Sequence, residues 1–131
     1  MRKALAVACL LLFHQSSKAP AEWFTRTVPA GQSTRVFVYK SWEGNCTSAF
    51  GVVKVSVKPQ HGKLSNRIVD TIIPGVHRFG ASGQCQGQST KGFAVYYTPA
   101  SGFRGTDTFT LDISWPHSGK QATDTYAVTV Q

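Results

Sequence analysis

One stretch constrains the fold more than any other: Tyr96 to Thr110, which runs Tyr-Tyr-Thr-Pro-Ala-Ser-Gly-Phe-Arg-Gly-Thr-Asp-Thr-Phe-Thr. It reads as a strand closing at Thr98, a tight corner, and a second strand opening at Thr106. Pro99 presets φ at the corner, and Gly102 and Gly105 admit backbone conformations that other residues resist. Asp107 is placed to accept backbone hydrogen bonds, and Phe103 to plug one end of a core. Both flanking strands alternate. Phe93, Val95 and Tyr97 oppose Ala94 and Tyr96 before the corner; Phe109, Leu111, Ile113 and Trp115 oppose Thr108, Thr110, Asp112 and Ser114 after it. Strands with one apolar face need a second layer to cover it.

The rest of the chain supplies that layer. Trp23 to Val28 reads as a first strand, Pro29 to Ser33 as a turn, and Thr34 to Lys40 as a strand apolar on both faces and therefore central. Ser41 to Ser48 reads as a loop. Phe50 to Lys58 alternates, with Val53, Val55 and Val57 expected toward the core and Lys54, Ser56 and Lys58 toward water. Pro59 to Gly62 turns the chain into a return strand from Lys63 to Val69, and Asp70 to Gly92 is irregular, with five glycines. Pro116 to Gly119 is the last turn, and Thr123 to Val130 returns with Tyr126, Val128 and Val130 inward. With no helical period, about seven short strands predict an antiparallel sandwich.

The corner, written Tyr-Thr-Pro-x-x-Gly-Phe-x-Gly-Thr-Asp-x-Phe-Thr, closely resembles the signature of bacterial Ig-like/cadherin-like domains of secreted and cell-surface proteins. The Pro-x-His-Gly-x-Leu segment from Pro59 to Leu64 resembles the same family and lies in the expected order before it. The resemblance implies an all-β, antiparallel Ig-like (cadherin-like) β-sandwich of about seven strands. Tyr97, Pro99, Gly102, Phe103, Gly105 and Asp107 would then form a structural corner. It also implies a non-catalytic binding or adhesion role at a bacterial cell envelope, with an alternative as a structural component that pairs through its strand edges. Acidic residues bind calcium in some cadherin-like repeats, but calcium needs several oxygens and the six acids here are scattered, so Asp107 is read as structural.

Residues 1–21 read as a cleaved signal peptide. Arg2 and Lys3 precede an apolar run from Ala4 to Phe13, and Ala19-Pro20-Ala21 offers a cleavage site. The run falls well short of the roughly 20 residues a membrane-spanning helix needs, so no membrane span is expected. Residues 22–131 then form one domain, periplasmic or secreted to the cell surface. Its net charge is +5, against +8 for the whole chain, with the cations dispersed. Cys46 and Cys85, an even pair in an exported chain, point to one disulfide. Closing their 39-residue separation stabilises by roughly 4 kcal/mol in the chain-entropy model.

Such a bridge would bring the Trp42–Cys46 loop and the Pro74–Gln88 loop to one end of the sandwich. The candidate binding surface is therefore Trp42, Asn45, His77 and Arg78, with Lys54 and Lys58 for an anionic partner. The expected partner is an envelope polysaccharide or protein. Nucleic acid is not expected, since the aromatics suit inward faces instead of a stacking platform. No catalytic residue, cofactor or metal is assigned. His61, His77 and His117 lack the close spacing of a metal motif, and a metal-binding protein using them is the remaining alternative. The Asn45-Cys46-Thr47 sequon is read as coincidental in a bacterial-like chain.

Overall fold

A computed structural model describes residues 21–131; the expected leader, apart from Ala21, lies outside the described residues. Nine strands follow in order: β1 (Ala21–Val28), β2 (Thr34–Lys40), β3 (Val52–Val57), β4 (Gly62–Ile72), β5 (Val76–His77), β6 (Gly80–Ala81), β7 (Ser89–Pro99), β8 (Gly105–Trp115) and β9 (Lys120–Val130). A 3-10 turn spans Gly83–Cys85. The long strands form a four-stranded sheet, ordered β1-β9-β8-β3, and a three-stranded sheet, ordered β2-β7-β4, while β5 and β6 make a separate small hairpin. No helix among the described residues is long and apolar enough to cross a membrane.

Several features of the expected fold are corrected. β2, expected to be central because both its faces are apolar, lies at the edge of its sheet, its second face covered by packing and not by a further strand, and the return strand β4 pairs with β7 in the other sheet and not with β3. Among the described residues the strands number nine, not about seven, because the irregular segment from Asp70 to Gly92 contains the β5–β6 hairpin and the ends of two long strands. Nor is the pairing wholly antiparallel. β1 runs parallel to β9, from Ala21 opposite Thr123 to Val28 opposite Val130, so the four-stranded sheet is mixed. Parallel partners need a long connection, and here that connection is nearly the whole chain.

Side chains from both sheets meet in one core. Val36, Tyr39, Val95 and Tyr97 enter from the three-stranded sheet, and Phe109, Leu111, Ile113, Tyr126 and Val128 from the four-stranded one. An aromatic column crosses it. Tyr97 lies 6.2 Å from Phe109, Phe109 5.0 Å from Tyr126, Tyr126 5.1 Å from Phe24, and Phe24 5.4 Å from Phe37. Burying a ring such as Phe109 stabilises by about 2 kcal/mol from area alone. Arg26 closes the core between β1 and β2, donating from Nε to the Val36 carbonyl at 2.7 Å.

The opposite side is open. β3 and β4 are both edge strands, so the valine face expected to meet the core meets it only through Val53; Val55 and Val57 remain 42% and 53% exposed. A register shift between Val55 and Val57 adds to the departure. Alternation reports which side of the strand faces inward, but not whether the opposing sheet extends far enough to cover it.

At the corner, the two sequence motifs prove to be one physical unit. Asp107 is 3% exposed and accepts from Gln60 N (3.0 Å), His61 N (2.9 Å), Thr108 N (2.9 Å) and the Tyr97 hydroxyl (2.8 Å). The His61 ring stacks on Phe103 at 4.3 Å. Gly62 is required by close approach, since a Cβ there would lie 2.5 Å from the Tyr97 ring. Both Asp107 oxygens are therefore engaged by protein donors, as a structural corner demands. Asp107→Ala should lower stability by about 3 kcal/mol or more, read as a fall in the urea midpoint at unchanged m-value. A loss below about 1 kcal/mol would show that the corner does not depend on this carboxylate.

Candidate functional site

The β2, β4 and β7 registers place Lys40, Ile72 and Ser89 at one end of the molecule, together with the β8–β9 turn. Here Cys46 and Cys85 form the expected disulfide, with Cα atoms 5.3 Å apart. The Cys46 loop is a tight turn: Cys46 N donates to the Glu43 carbonyl at 2.8 Å, Glu43 N to that of Thr47 at 2.9 Å. Asn45 Oδ1 accepts from Thr47 N and Oγ1, and Cys46 sits at φ 69°, in the left-handed region. The facing segment is anchored by Ile73, 1% exposed, whose backbone bonds to Gln88 and Gly87 at 2.9 Å each.

Between these segments and the β8–β9 turn lies an open cavity of about 510 Å³. Five aromatic side chains line it: Trp42, Phe79, Trp115, Phe37 and Tyr39. Trp42 meets His77 edge-on at 5.0 Å, and Phe79 meets Trp115 edge-on at 5.4 Å with the Lys120 ammonium 5.6 Å above the Phe79 ring. His117 hydrogen-bonds Ser41 at 3.1 Å. The lining also includes Lys40, Arg78 and Lys120, but neither Asp nor Glu. Of these cations, Arg78 is already paired with Asp124 and Glu22 and Lys40 donates to Thr71 and the Ile72 carbonyl, which leaves Lys120 beside Phe79 facing the opening.

Behind it stands a buried polar network. Arg78 Nη2 donates to Asp124 Oδ2 at 2.9 Å, and Nε lies 3.3 Å from Glu22. The Tyr39 hydroxyl donates to Asp124 Oδ2 at 2.7 Å and, its proton thus committed, accepts from the Tyr126 hydroxyl at 2.7 Å. Burial alone would lower the Arg78 guanidinium, but the hydrogen bond and charge of Asp124, with Glu22 and Tyr39 behind them, raise it above its ordinary value. Arg78 Nη1 is buried and finds no partner among the described residues. Tyr39 is raised by burial, then by Tyr126 and Asp124; Tyr126 by burial, then by Asp124. Lys40 is lowered by burial and by Arg35.

Of the candidate residues, Trp42, His77 and Arg78 come together in the cavity wall. Asn45 is exposed in the disulfide turn. Lys54 lies on β3 opposite Asp112 and Lys58 follows that strand, neither in the cavity lining. Phe79, Trp115 and Lys120 were not singled out from sequence. An isolated Phe79 among glycines and a Trp115 at a strand's last position were the signals: each is a large apolar side chain at the limit of a core. The three histidines do not converge, because His61 stacks on Phe103 at the opposite end. Among the described residues, no group of three or more His, Cys, Asp or Glu is placed to hold a metal ion.

No family model matches the chain, and no curated protein matches it. Among solved structures it is similar to one described as PbICP-C in complex with falcipain-2, at 13% identity, 88% coverage of this chain, 93% of that chain, and a TM-score of 0.35. The class that fold and site define is an all-β protein of two facing sheets with one disulfide beside an aromatic-lined cavity.

The tyrosines set the response to alkali. Tyr97 is raised like Tyr39 and Tyr126, by burial and then by Asp107. A phenol with a higher pKa folded than unfolded holds its proton more tightly when folded. Its stabilising contribution is full below the ordinary value of 10.0 and is lost as pH rises beyond it. Tyrosinate absorbance from these three should appear together with loss of near-ultraviolet circular dichroism, in one step above pH 10. Ionisation of all three with the dichroism intact would disprove the buried network.

Proposed function

We propose that this chain is a non-catalytic binding module of the bacterial Ig-like type, acting at a cell envelope, with the disulfide-end cavity as its ligand seat. One observation carries the reading. Two otherwise irregular segments are pinned together by Cys46–Cys85 beside an aromatic cavity whose charged lining residues include Lys40, Arg78 and Lys120 and no carboxylate. A covalent tether reduces the entropy lost when a ligand orders its loops. Aromatic walls favour an apolar body, and the Lys120 ammonium above Phe79 an attached anionic group. The ligand class is thus an apolar group bearing negative charge, such as an anchoring side chain beside a carboxylate on an envelope protein. The two buried carboxylates hold the fold: Asp107 at the corner, Asp124 to Arg78 and Tyr39.

Anilinonaphthalene sulfonate, an aromatic anion that fluoresces in apolar sites, is a suitable first probe. The protein should bind it with enhanced emission, and Phe79→Ala should weaken binding about tenfold through lost aromatic contact, while Lys58→Ala leaves it unchanged. Equal binding by the protein and Phe79→Ala would remove the cavity from the proposal.

A second reading rests on the open side. Phe50, Val52, Val55 and Val57 are all more than 40% exposed beside the unpaired edge of β3. An exposed apolar edge is a template for strand addition, which suits an envelope component assembling with its own copies. Light scattering should then show a mass rising with concentration, abolished by Val55→Lys. A monomeric mass throughout would reject this assembly.

A further inference from the structure

The outer face of the three-stranded sheet carries a feature independent of the cavity. Along β7 the outward residues are Gly92, Ala94, Tyr96 and Thr98, alternating with core-facing Phe93, Val95 and Tyr97. On one side β2 sets Arg35 opposite Tyr96 and Lys40 opposite Gly92. On the other β4 sets Lys63 opposite Thr98 and Arg67 opposite Ala94. Both flanking strands therefore carry cations beside the middle one. Gly92 and Ala94 are buried beneath their neighbours: Val38 and Thr71 close over Gly92, and Lys40 Nζ reaches across to Thr71 Oγ1 at 3.1 Å and the Ile72 carbonyl at 3.0 Å, so the face is a continuous surface. The two cationic rows stand two strand spacings apart, roughly 10 Å.

No carboxylate shares this face. Asp70 on β4 falls in register with Leu64 and Ile68 on the other side of the strand and pairs with Lys91, and Glu43 lies beyond β2 in the disulfide loop. The outer face of the other sheet differs, because Lys54 there stands opposite Asp112. Burial, and after it the neighbouring Arg35, lowers the Lys40 ammonium. Arg35, Lys63 and Arg67 are exposed, and the Arg67 guanidinium lies over the Tyr96 ring at 4.4 Å.

We propose that this cationic face binds a linear acidic glycan. Its chain would lie over β7, with sulfate or carboxylate groups pairing to the exposed Arg35 on one side and to the exposed Lys63 and Arg67 on the other. Single-stranded nucleic acid needs free aromatic faces for its bases, whereas Tyr96, the one aromatic on this face, is covered by Arg67. A membrane surface would call for exposed apolar side chains to insert, and Val38 and Val69 are here half-buried.

The test is calorimetric titration of the whole chain at 0.15 M salt with defined oligosaccharides of heparin, sulfated, and of polygalacturonate, carboxylated. At least one should bind. Arg35→Ala/Arg67→Ala should weaken it about tenfold or more, since each arginine offers charge-assisted hydrogen bonds. Ser65→Glu, which keeps every cation but adds a negative charge beside Tyr96, should weaken it as well. Lys54→Ala/Lys58→Ala on the opposite sheet, and Phe79→Ala in the cavity, should leave it unchanged. The proposal is overturned if neither glycan binds, if the Lys54/Lys58 pair matters as much as the Arg35/Arg67 pair, or if oligothymidylate binds as tightly through the same arginines. Loss with Phe79→Ala alone would move glycan binding to the cavity.

Discussion

The fold depends first on the Asp107 carboxylate. It sits on β8 of the four-stranded sheet and takes a hydrogen bond from Tyr97 on β7 of the other, so it joins the two layers directly. It also takes the backbone donors of Gln60 and His61, which fixes where the chain leaves β3 and enters β4. A buried carboxylate must find several donors or incur a large desolvation cost. The geometry of the corner follows from meeting that demand: Gly62 is bare so that the Tyr97 ring can pass, and His61 turns its ring onto Phe103.

A second carboxylate, Asp124, plays the corresponding part at the other end. It reaches across to Tyr39 on β2 and holds Arg78, the residue following the short β5 strand. The difference between the ends lies in what this anchoring leaves behind. At the corner, backbone donors fill the space around Asp107. At the disulfide end, Arg78 is drawn inward while Phe79 is left standing against Trp115, and the cavity opens between them and Trp42. Burial of one polar network thus shapes the apolar walls next to it.

Much of the architecture was legible in the residues. The alternation of Phe109, Leu111, Ile113 and Trp115 placed β8 and its inward face correctly, and the positions of Cys46 and Cys85 indicated that two loops meet. Trp42, His77 and Arg78 were legible as one surface for the same reason, since the disulfide brings their segments together. Other expectations failed where the answer depends on neighbours. Val55 and Val57 have the spacing of core residues, yet β3 is an edge strand and nothing opposes them. The direction of β1 beside β9 is likewise absent from local pattern, because the same residues pair well in either orientation.

The sequence by itself determined the seven long strands, the side most of them turn inward, the corner between β7 and β8, and the pairing of Cys46 with Cys85. These are local consequences of side-chain period, glycine and proline geometry, and an even cysteine count. Tertiary structure alone decided which strands lie at the edges, which carboxylate meets which donor, and where cations gather. Arg35, Lys40, Lys63 and Arg67 look dispersed along the chain. They share one face because β2 and β4 are both hydrogen-bonded to β7, and the register across those ladders sets residues far apart in sequence side by side. Charge is carried by residues, but a charged surface is made by strand order.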